Sequence, residues 1–176
     1  MGVVWITGLS GAGKTSLASR LVERVREQGR VVILLDGDEL REVFGAVLNS
    51  QDNHGREGRL LLAMQYAHLC QVISSQGVLV VIATISLFKE VHQWNREHFP
   101  SYFEVFLKVP LDELRRRDPK GIYKRFDAGE LKHVAGLDLT VDEPDAADWV
   151  VEFDPKHELE KNTDELMELL LDKGLI

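Results

Sequence analysis

Residues 8–15 read Gly8-Leu9-Ser10-Gly11-Ala12-Gly13-Lys14-Thr15, and this stretch decides the fold. It follows the apolar run Val3–Thr7, which predicts a buried strand, and it precedes a helical pattern over residues 14–28. Glycines at this spacing, with lysine and threonine at the start of a helix, are typical of a loop whose backbone N–H groups surround phosphates. We therefore predict a phosphate-binding loop, the P-loop, made by Gly8, Ser10, Gly11, Ala12, Gly13, Lys14, Thr15 and Ser16.

Two side chains of this loop indicate the ligand. Lys14 is expected to reach the β- and γ-phosphates of a nucleotide, and the Thr15 hydroxyl is expected to occupy a magnesium position. We expect ATP with Mg2+ as the phosphate donor.

The remaining apolar runs alternate with helical patterns along the chain. Strands are predicted at residues 31–35, 78–84, 103–109 and 149–153, and several of these runs are rich in β-branched residues without polar alternation. Helices are predicted at residues 58–75, 89–97, 111–117 and 156–173. This order predicts one α/β domain over residues 1–176, with a five-stranded parallel sheet and helices on both faces.

Composition and charge argue against several classes of protein. The 176 residues carry a formal net charge of −8, which argues against a nucleic-acid partner. The sequence shows no basic leader with an apolar segment and no apolar run of spanning length, so we expect a cytoplasmic protein without a membrane partner. Cys70 is the single cysteine and lies in an apolar helical pattern, which predicts an unreactive core thiol.

The charge is unevenly distributed along the chain. Residues 115–132 hold seven basic and three acidic side chains, although the chain as a whole is acidic. Two interpretations stand at this point: a solvated helix face, or a segment that closes over phosphates. Residues 47–58 and 120–144 lack regular periodicity, which favours mobile segments over a site for both stretches.

A pair of aspartates follows the second predicted strand, in the sequence Asp36-Gly37-Asp38-Glu39-Leu40-Arg41. Ligands of open parallel sheets bind at the carboxyl ends of the strands, where we expect these carboxylates to lie. A carboxylate can hold Mg2+ or accept the proton of an acceptor hydroxyl, and phosphoryl transfer requires both. The alternative is structural, with Asp38 capping the helix that follows and Asp36 in a turn.

These elements together resemble the adenylylsulfate kinases, a family of P-loop kinases that use ATP to phosphorylate the 3′-hydroxyl of adenylyl sulfate in sulfate assimilation. The likeness covers roughly residues 3–154 and rests on the P-loop, Asp36-Gly37-Asp38 with Arg41, Ile85-Ser86, Arg117-Asp118-Pro119-Lys120-Gly121 and Gly136-Leu137-Asp138. It implies a P-loop NTPase fold with a lid over about residues 115–144, so it favours a closing segment for the basic run. Family members commonly pair, so it also implies a homodimer.

The resemblance implies roles for individual side chains. Arg41 and Arg59 are similar to two arginines that bind the nucleotide acceptor, Arg41 at its 5′ anhydride. Lys120 is similar to the lid lysine, and the catalytic groups implied are Lys14, Asp36, Asp38 and Lys120. Asp38 is expected to orient or deprotonate the acceptor hydroxyl, and Asp36 to join Thr15 in the magnesium shell. Further positions are implied at the acceptor for Ile85, Ser86 and Val134 and at ATP for Arg117.

The acceptor side departs from the family pattern, whereas the ATP side is intact. Leu62 and Gln65 replace an asparagine and an arginine that face the acceptor in the family. Two phenylalanines that enclose the adenine in the family are also missing. Residues 49–58 contain no phenylalanine, tyrosine or tryptophan, and the lid position holds Val134. Stacking on an aromatic ring is worth about 1–3 kcal/mol per base, so these changes predict weaker adenine binding unless another ring takes part.

Three functions remain open at this point. The family activity toward adenylyl sulfate is the first expectation, and Tyr66, Phe88 or Trp94 are candidates to replace the missing rings. A related group of kinases acts on cytidine diphosphoramidate in capsule modification and phosphorylates the same ribose hydroxyl, which suits a pocket for a pyrimidine. The third is a non-catalytic nucleotide-binding module, although the retention of both aspartates and both lysines together argues for an enzyme.

Overall fold

The computed structural model describes residues 2–45, 55–156 and 159–176. Its centre is a sheet of five strands: β1 (Val3–Thr7), β2 (Val32–Asp36), β3 (Leu79–Thr84), β4 (Tyr102–Lys108) and β5 (Trp149–Glu152). The strands lie in the order β2-β3-β1-β4-β5, and all four pairings between neighbours are parallel. The predicted five-stranded parallel sheet is confirmed.

The helices cover both faces of this sheet. They are α1 (Lys14–Glu27), α2 (Gly37–Gly45), α3 (Arg56–Ser74), α4 (Lys89–His98), α5 (Leu111–Arg117), α6 (Ile122–Asp127) and α7 (Leu159–Asp172). Each predicted element is present, with its ends within three residues of the predicted positions. The predicted ranges did not include α2, which begins directly after β2 without a loop, although the capping alternative for Asp38 assumed a helix there. They also did not include α6, whose six residues are too few to show a helical period.

The sheet is buried on both sides because successive residues of a strand point to opposite faces. On one face, Val4 and Ile6 of β1 pack in a core cluster with Leu21 of α1. On the other face, Trp5 of β1 packs in a second cluster with Tyr66 of α3. All five residues of β1 are buried, and full burial of a large apolar side chain stabilises a fold by about 1.5–3 kcal/mol. This two-sided burial accounts for the continuous apolar runs in the sequence.

Cys70 and Trp94 illustrate the packing of the second cluster. Cys70 is fully buried there, and burial raises the pKa of its thiol far above the ordinary value, in agreement with the predicted unreactive core thiol. Trp94 is half-buried against the same cluster and stacks on His98 with 4.3 Å between ring centres. Among the described residues, no helix combines the length and the apolar character needed to cross a membrane.

Candidate active site

An open cleft of about 710 Å3 lies at the carboxyl ends of the strands. Its walls come from the P-loop, the ends of β2 and β3, one face of α3 and the lid (residues 115–144). The predicted site residues that line the cleft are Ser10, Gly11, Gly13, Lys14, Thr15, Ser16, Asp36, Asp38, Arg41, Arg59, Ile85, Ser86, Arg117, Lys120 and Val134. Open parallel sheets bind their ligands at this edge, so the cleft is the candidate active site.

Gly8 and Ala12 are the two predicted P-loop residues that do not line the cleft. Gly8 has a φ of +150°, and a Cβ atom there would lie 2.7 Å from the carbonyl oxygen of Leu107, so only glycine fits. Ala12 is 7% exposed and belongs to the core cluster that contains Val4 and Ile6. Both residues therefore pack on the side of the loop that faces the protein core. The contact of their backbone N–H groups with phosphate stays a prediction.

Lys14 lies over the P-loop backbone. Its amino group donates a hydrogen bond to the carbonyl oxygen of Leu9 at 2.8 Å, so the side chain folds back along the loop. Burial, followed by repulsion from Lys120, lowers the pKa of Lys14 to about 8, although Asp38 and Asp36 act in the opposite direction. A cation that has lost part of its hydration gains charge stabilisation when an anion binds beside it.

Asp36 ends β2 and uses both of its carboxylate oxygens. Oδ2 accepts a hydrogen bond from the Thr15 hydroxyl at 2.7 Å, and Oδ1 accepts one from the backbone N–H of Asp38 at 2.8 Å. The second bond satisfies an N–H group in the first turn of α2 that has no partner within the helix. The structural alternative, in which Asp38 caps this helix and Asp36 lies in a turn, is therefore wrong: Asp36 lies in the strand and is itself the capping side chain.

Thr15 and Asp36 fit a magnesium ion. Mg2+ prefers oxygen ligands, and it commonly takes one or two from protein side chains and the others from phosphates and water. The Thr15 hydroxyl and the Asp36 carboxylate supply such oxygens beside the P-loop. Within residues 2–45, 55–156 and 159–176 there is no group of three or more His, Cys, Asp or Glu side chains that could hold a metal.

Asp38 forms an ion pair with Lys120 of the lid. The two side chains are 66% and 50% exposed, so a ligand can reach the pair, and the pair itself adds little stability. Lys120 also lies close enough to Lys14 to lower its pKa. The structure thus brings three predicted catalytic side chains into one region between the P-loop and the lid.

The lid contacts the P-loop at three points. The Tyr123 hydroxyl donates a hydrogen bond to the carbonyl oxygen of Ser10 at 2.9 Å, and the Arg117 guanidinium donates one to that of Gly11 at 3.3 Å. Farther along the lid, Gly136 lies so near Leu9 that a Cβ atom on it would be 2.8 Å from the leucine side chain. The lid therefore packs against the P-loop.

Each of the two interpretations of the basic run, residues 115–132, applies to part of it. Arg115 pairs with Asp127 at 2.7 Å, and Arg116 pairs with Glu113 at 2.7 Å and is 73% exposed, so this part is a solvated helix surface. Other members of the run line the cleft, namely Arg117, Lys120 and Lys132. The cations that face the cleft are the ones that could close over phosphates.

Arg59 joins α3 to the lid at the other end of the cleft. Its guanidinium donates a hydrogen bond of 2.7 Å to the carbonyl oxygen of His133. Burial, and then repulsion from Arg41, lowers the pKa of Arg59. Two guanidinium groups close enough to repel each other favour a bound anion between or beside them. The acceptor-binding role of Arg41 and Arg59 stays a prediction.

The segment that follows β3 has an uncommon backbone conformation in the wall of the cleft. Ser86 has a φ of +24°, in a region that residues other than glycine rarely adopt. Its hydroxyl is hydrogen-bonded to the Thr84 hydroxyl at 2.8 Å, and the Thr7 hydroxyl donates to the carbonyl oxygen of Ile85. These bonds fix Ile85 and Ser86 in the cleft wall.

An apolar wall completes the cleft, and sequence reasoning found only part of it. Leu62, Tyr66 and Phe88 line the cleft, whereas Trp94 lies outside it. The helical spacing of Arg59, Leu62 and Tyr66 was a usable signal for the α3 side. Sequence reasoning assigned no role to the other apolar residues of the wall, for which no periodicity gave a signal: Leu87, Leu131, Leu139 and Val141.

The aromatic residues of this wall offer little ring surface. Tyr66 is 3% exposed, and its hydroxyl donates to the carbonyl oxygen of Gly37 at 3.2 Å. Phe88 is 5% exposed, and the Arg56 guanidinium carbon lies 5.5 Å from the centre of its ring. The segment in which one stacking ring is missing, residues 49–58, lies mostly outside the described residues, which omit 46–54.

Comparison with known proteins gives relatives over nearly the whole chain. The cytidine diphosphoramidate kinase of Campylobacter jejuni is 34% identical over 171 residues, which are 97% of this chain and 95% of the relative. The adenylyl-sulfate kinase of Paraburkholderia xenovorans is 37% identical over 175 residues, which are 99% of this chain and 95% of that protein.

A solved structure is similar to this chain over nearly its whole length. The adenylylsulfate kinase of Mycobacterium tuberculosis, in complex with AMPPNP and adenylyl sulfate, has a TM-score of 0.85 and 32% identity, and the match covers 96% of each chain. The P-loop NTPase fold is thereby confirmed. The family model of adenylylsulfate kinase matches residues 1–152. The chain therefore belongs to the adenylylsulfate kinase family.

Proposed function

We propose that this chain is an ATP-dependent, magnesium-dependent kinase that transfers the γ-phosphate to a ribose hydroxyl, the 3′-hydroxyl, of a small nucleotide acceptor. The observation that carries the proposal is the arrangement of Lys14, the Thr15–Asp36 pair and the Asp38–Lys120 pair in one cleft. Phosphoryl transfer depends mainly on positioning and on stabilising charge, and these groups supply both. Membership of a kinase family supports the reaction class.

In the proposed reaction, Asp38 accepts the hydrogen bond of the acceptor hydroxyl and takes its proton. The acceptor oxygen then forms a bond to the γ-phosphorus while the bond from that phosphorus to the ADP oxygen breaks. Lys14 and Lys120 stabilise the charge that accumulates on the transferred group and on the leaving phosphate. A magnesium ion held by Thr15 and Asp36 would neutralise charge on the β- and γ-phosphates. Arg41 and Arg59 hold the anionic part of the acceptor.

For the acceptor itself, we propose a cytidine diphosphate conjugate of the cytidine diphosphoramidate type. Leu62 and Val134 line the cleft where the family has an asparagine and a stacking ring, and Tyr66 and Phe88 are too deeply buried to replace two stacking faces. A smaller base loses less from that change than adenine does. The relative from Campylobacter jejuni, which is 34% identical, carries this activity in its name.

Adenylyl sulfate is the second candidate. It is favoured by the family model and by the Mycobacterium tuberculosis neighbour, whose complex contains that compound. The cytoplasm, where ATP is available, is the expected compartment for either reaction.

The discriminating experiment compares kcat/KM for the two acceptors at saturating ATP and magnesium. We expect adenylyl sulfate to be the poorer substrate by about 10- to 1000-fold, the range that one or two lost stacking contacts account for. Val134→Phe should improve the adenine substrate selectively, and Val134→Leu is the matched control that adds volume without a ring. Efficient turnover of adenylyl sulfate with none of the cytidine compound would refute the pyrimidine proposal and leave the kinase proposal standing.

A further inference from the structure

The backbone N–H of His92 in α4 donates to the carbonyl oxygen of Phe88 at 3.1 Å. Phe88 lines the cleft with Leu87 and Val141, and these three residues form what we call the acceptor wall.

The His92 side chain is 10% exposed. Nδ1 lies 2.7 Å from a carboxylate oxygen of Glu104, which is 1% exposed, and Nε2 lies 3.2 Å from the backbone carbonyl oxygen of Asp142. Glu104 also accepts hydrogen bonds from Tyr102 and Arg96, as an ionised carboxylate does, so both ring nitrogens face oxygens that accept and do not donate.

This geometry has a direct chemical consequence. A neutral imidazole carries one N–H, so one ring nitrogen would direct its lone pair at an oxygen. A protonated imidazole donates from both nitrogens and also balances the charge of the buried Glu104 carboxylate. A side cavity of about 440 Å3 reaches His92, Glu104 and Asp142, so the ring can exchange protons with solvent.

Asp142 connects the end of the lid to α3, to α4 and to the segment after β3. Its backbone N–H donates to the carbonyl oxygen of Leu87 at 3.0 Å. Its carboxylate accepts hydrogen bonds from the backbone N–H of Lys89 and from the Arg56 guanidinium, both at 3.1 Å. Leu87, Phe88 and Val141 are neighbours of these bonds in the chain and all line the acceptor end of the cleft. The bond from His92 to Asp142 thus acts on the wall that an acceptor would contact.

We propose that His92, as an imidazolium, is a positioning residue that ties the lid at Asp142 to Glu104 of β4 and so sets the acceptor wall of the cleft. This inference rests on the proposed function, because it assigns that wall to the acceptor. Charged and titratable groups face His92 or its partners from α3, α4, β4, the end of the lid, the segment between the lid and β5, and the residue after α7: Arg56, Lys89, Glu90, Arg96, Tyr102, Glu104, Asp142, Glu143, Asp145, Asp148 and Lys173.

Arg96 is the second cation at Glu104, and it does not replace His92. Its guanidinium lies 3.3 Å from the other carboxylate oxygen of Glu104 and 2.7 Å from the Asp148 carboxylate. It also donates to the carbonyl oxygen of Ala146. Arg96 therefore anchors residues 146–148, whereas His92 is the bond donor to Asp142.

The protonation state of His92 can be measured without any substrate. In nitrogen-detected NMR of the wild-type protein, an imidazolium gives two ring nitrogens with nearly equal shifts, whereas a neutral ring gives two widely separated ones. We expect the imidazolium pattern for His92 at pH 7 and slow hydrogen exchange of the Asp142 amide while that pattern persists. A neutral pattern at pH 7 would overturn the proposal even if the kinase activity were established.

Kinetics test the positioning role. His92→Gln should raise KM for the acceptor about 10- to 100-fold, the range expected for loss of a buried charged hydrogen bond, while KM for ATP changes less than about twofold. We expect the acceptor KM of the wild type to rise as the NMR pattern becomes neutral. His92→Arg keeps a permanent charge, so it should restore most of the loss and show no such rise.

The matched control is His98→Gln, on the same helix but outside the cleft, which should leave both KM values unchanged. Equal increases of both KM values in His92→Gln would contradict the proposal, and so would a change in thermal stability alone. If neither acceptor is turned over by the wild type, the proposed acceptor is wrong, and the NMR experiment still decides the state of His92.

Discussion

The pH dependence of nucleotide binding is the sharpest test of the P-loop geometry. Burial and repulsion from Lys120 lower the pKa of Lys14 to about 8, from an ordinary value of 10.5. With that pKa, Lys14 is about 90% protonated at pH 7 and about 10% protonated at pH 9. If only the charged amine binds the β- and γ-phosphates, the Kd for ATP should rise about tenfold for each pH unit above 8.

The assay is isothermal titration calorimetry of the wild-type protein with magnesium and a non-hydrolysable ATP analogue from pH 6.5 to 9.5. Bound phosphate stabilises the charged amine, so binding near pH 8.5 should take up protons. Titrations in buffers with different ionisation enthalpies measure this uptake. Lys14→Arg is the control, because arginine stays charged over this range and its weaker binding should be independent of pH.

The free energy of unfolding of the ligand-free protein gives a second test, for which the direction of the change with pH is also fixed. Between the folded pKa near 8 and the ordinary value of 10.5, the unfolded chain binds more protons than the folded chain. The free energy of unfolding should therefore rise with pH across this interval as far as Lys14 contributes. A constant Kd between pH 7 and 9.5 without proton uptake would refute the reasoning, because Lys14 would then keep an ordinary pKa in the folded protein.

Four further predictions concern the remaining parts of the site and the assembly. Asp38→Asn should lower kcat by about 10²- to 10⁴-fold and leave the Kd for ATP nearly unchanged; loss of ATP affinity with full turnover at saturation would assign the base to Asp36. Asp36→Ala should raise the magnesium concentration needed for half-maximal activity and, by removing the cap of α2, cost about 1 kcal/mol in denaturant unfolding. Gly136→Ala places a methyl group 2.8 Å from the Leu9 side chain at a φ of +82°, so lid closure should weaken and KM for both substrates should rise together in steady-state assays. Sedimentation should give about twice 19.9 kDa if the expected homodimer forms, and a monomer mass at working concentrations would exclude it.

The sequence predicted the strands well because their burial leaves a strong pattern. Strand β1 lies in the middle of the sheet, so Val3, Val4, Trp5 and Ile6 are all buried, and no polar residue interrupts the run. The ends of α1 and α3 were predictable for a local reason as well. Gly29 and Gly77 follow these helices with φ values of +77° and +82°, a conformation that glycine adopts without strain.

The parts of the site that escaped prediction depend on contacts between distant residues. The capping of α2 by Asp36 uses the same carboxylate that binds the Thr15 hydroxyl, and a composition of Asp, Gly and Asp is equally typical of a turn. Helix α6 is too short for a periodic signal, and its first turn depends on the Asp118 carboxylate, which accepts from the backbone N–H groups of Tyr123 and Lys124. The bond from Arg59 to His133 ends on a main-chain oxygen, which every residue type provides.

The bond from Arg59 to His133 holds the lid through the main chain, so it does not depend on the side chain that lines the cleft at position 134. Arg59 holds the lid through the carbonyl oxygen of His133, and the Asp138 carboxylate holds the backbone N–H groups of His133 and Val134. Neither contact involves the side chain of Val134, although that side chain lines the cleft. Under the proposed function, substitutions at 134 should therefore change which base is accepted and leave these two contacts intact. If that function is established, one substitution could move the site from one nucleotide acceptor to another without changing the bonds that hold residues 133 and 134.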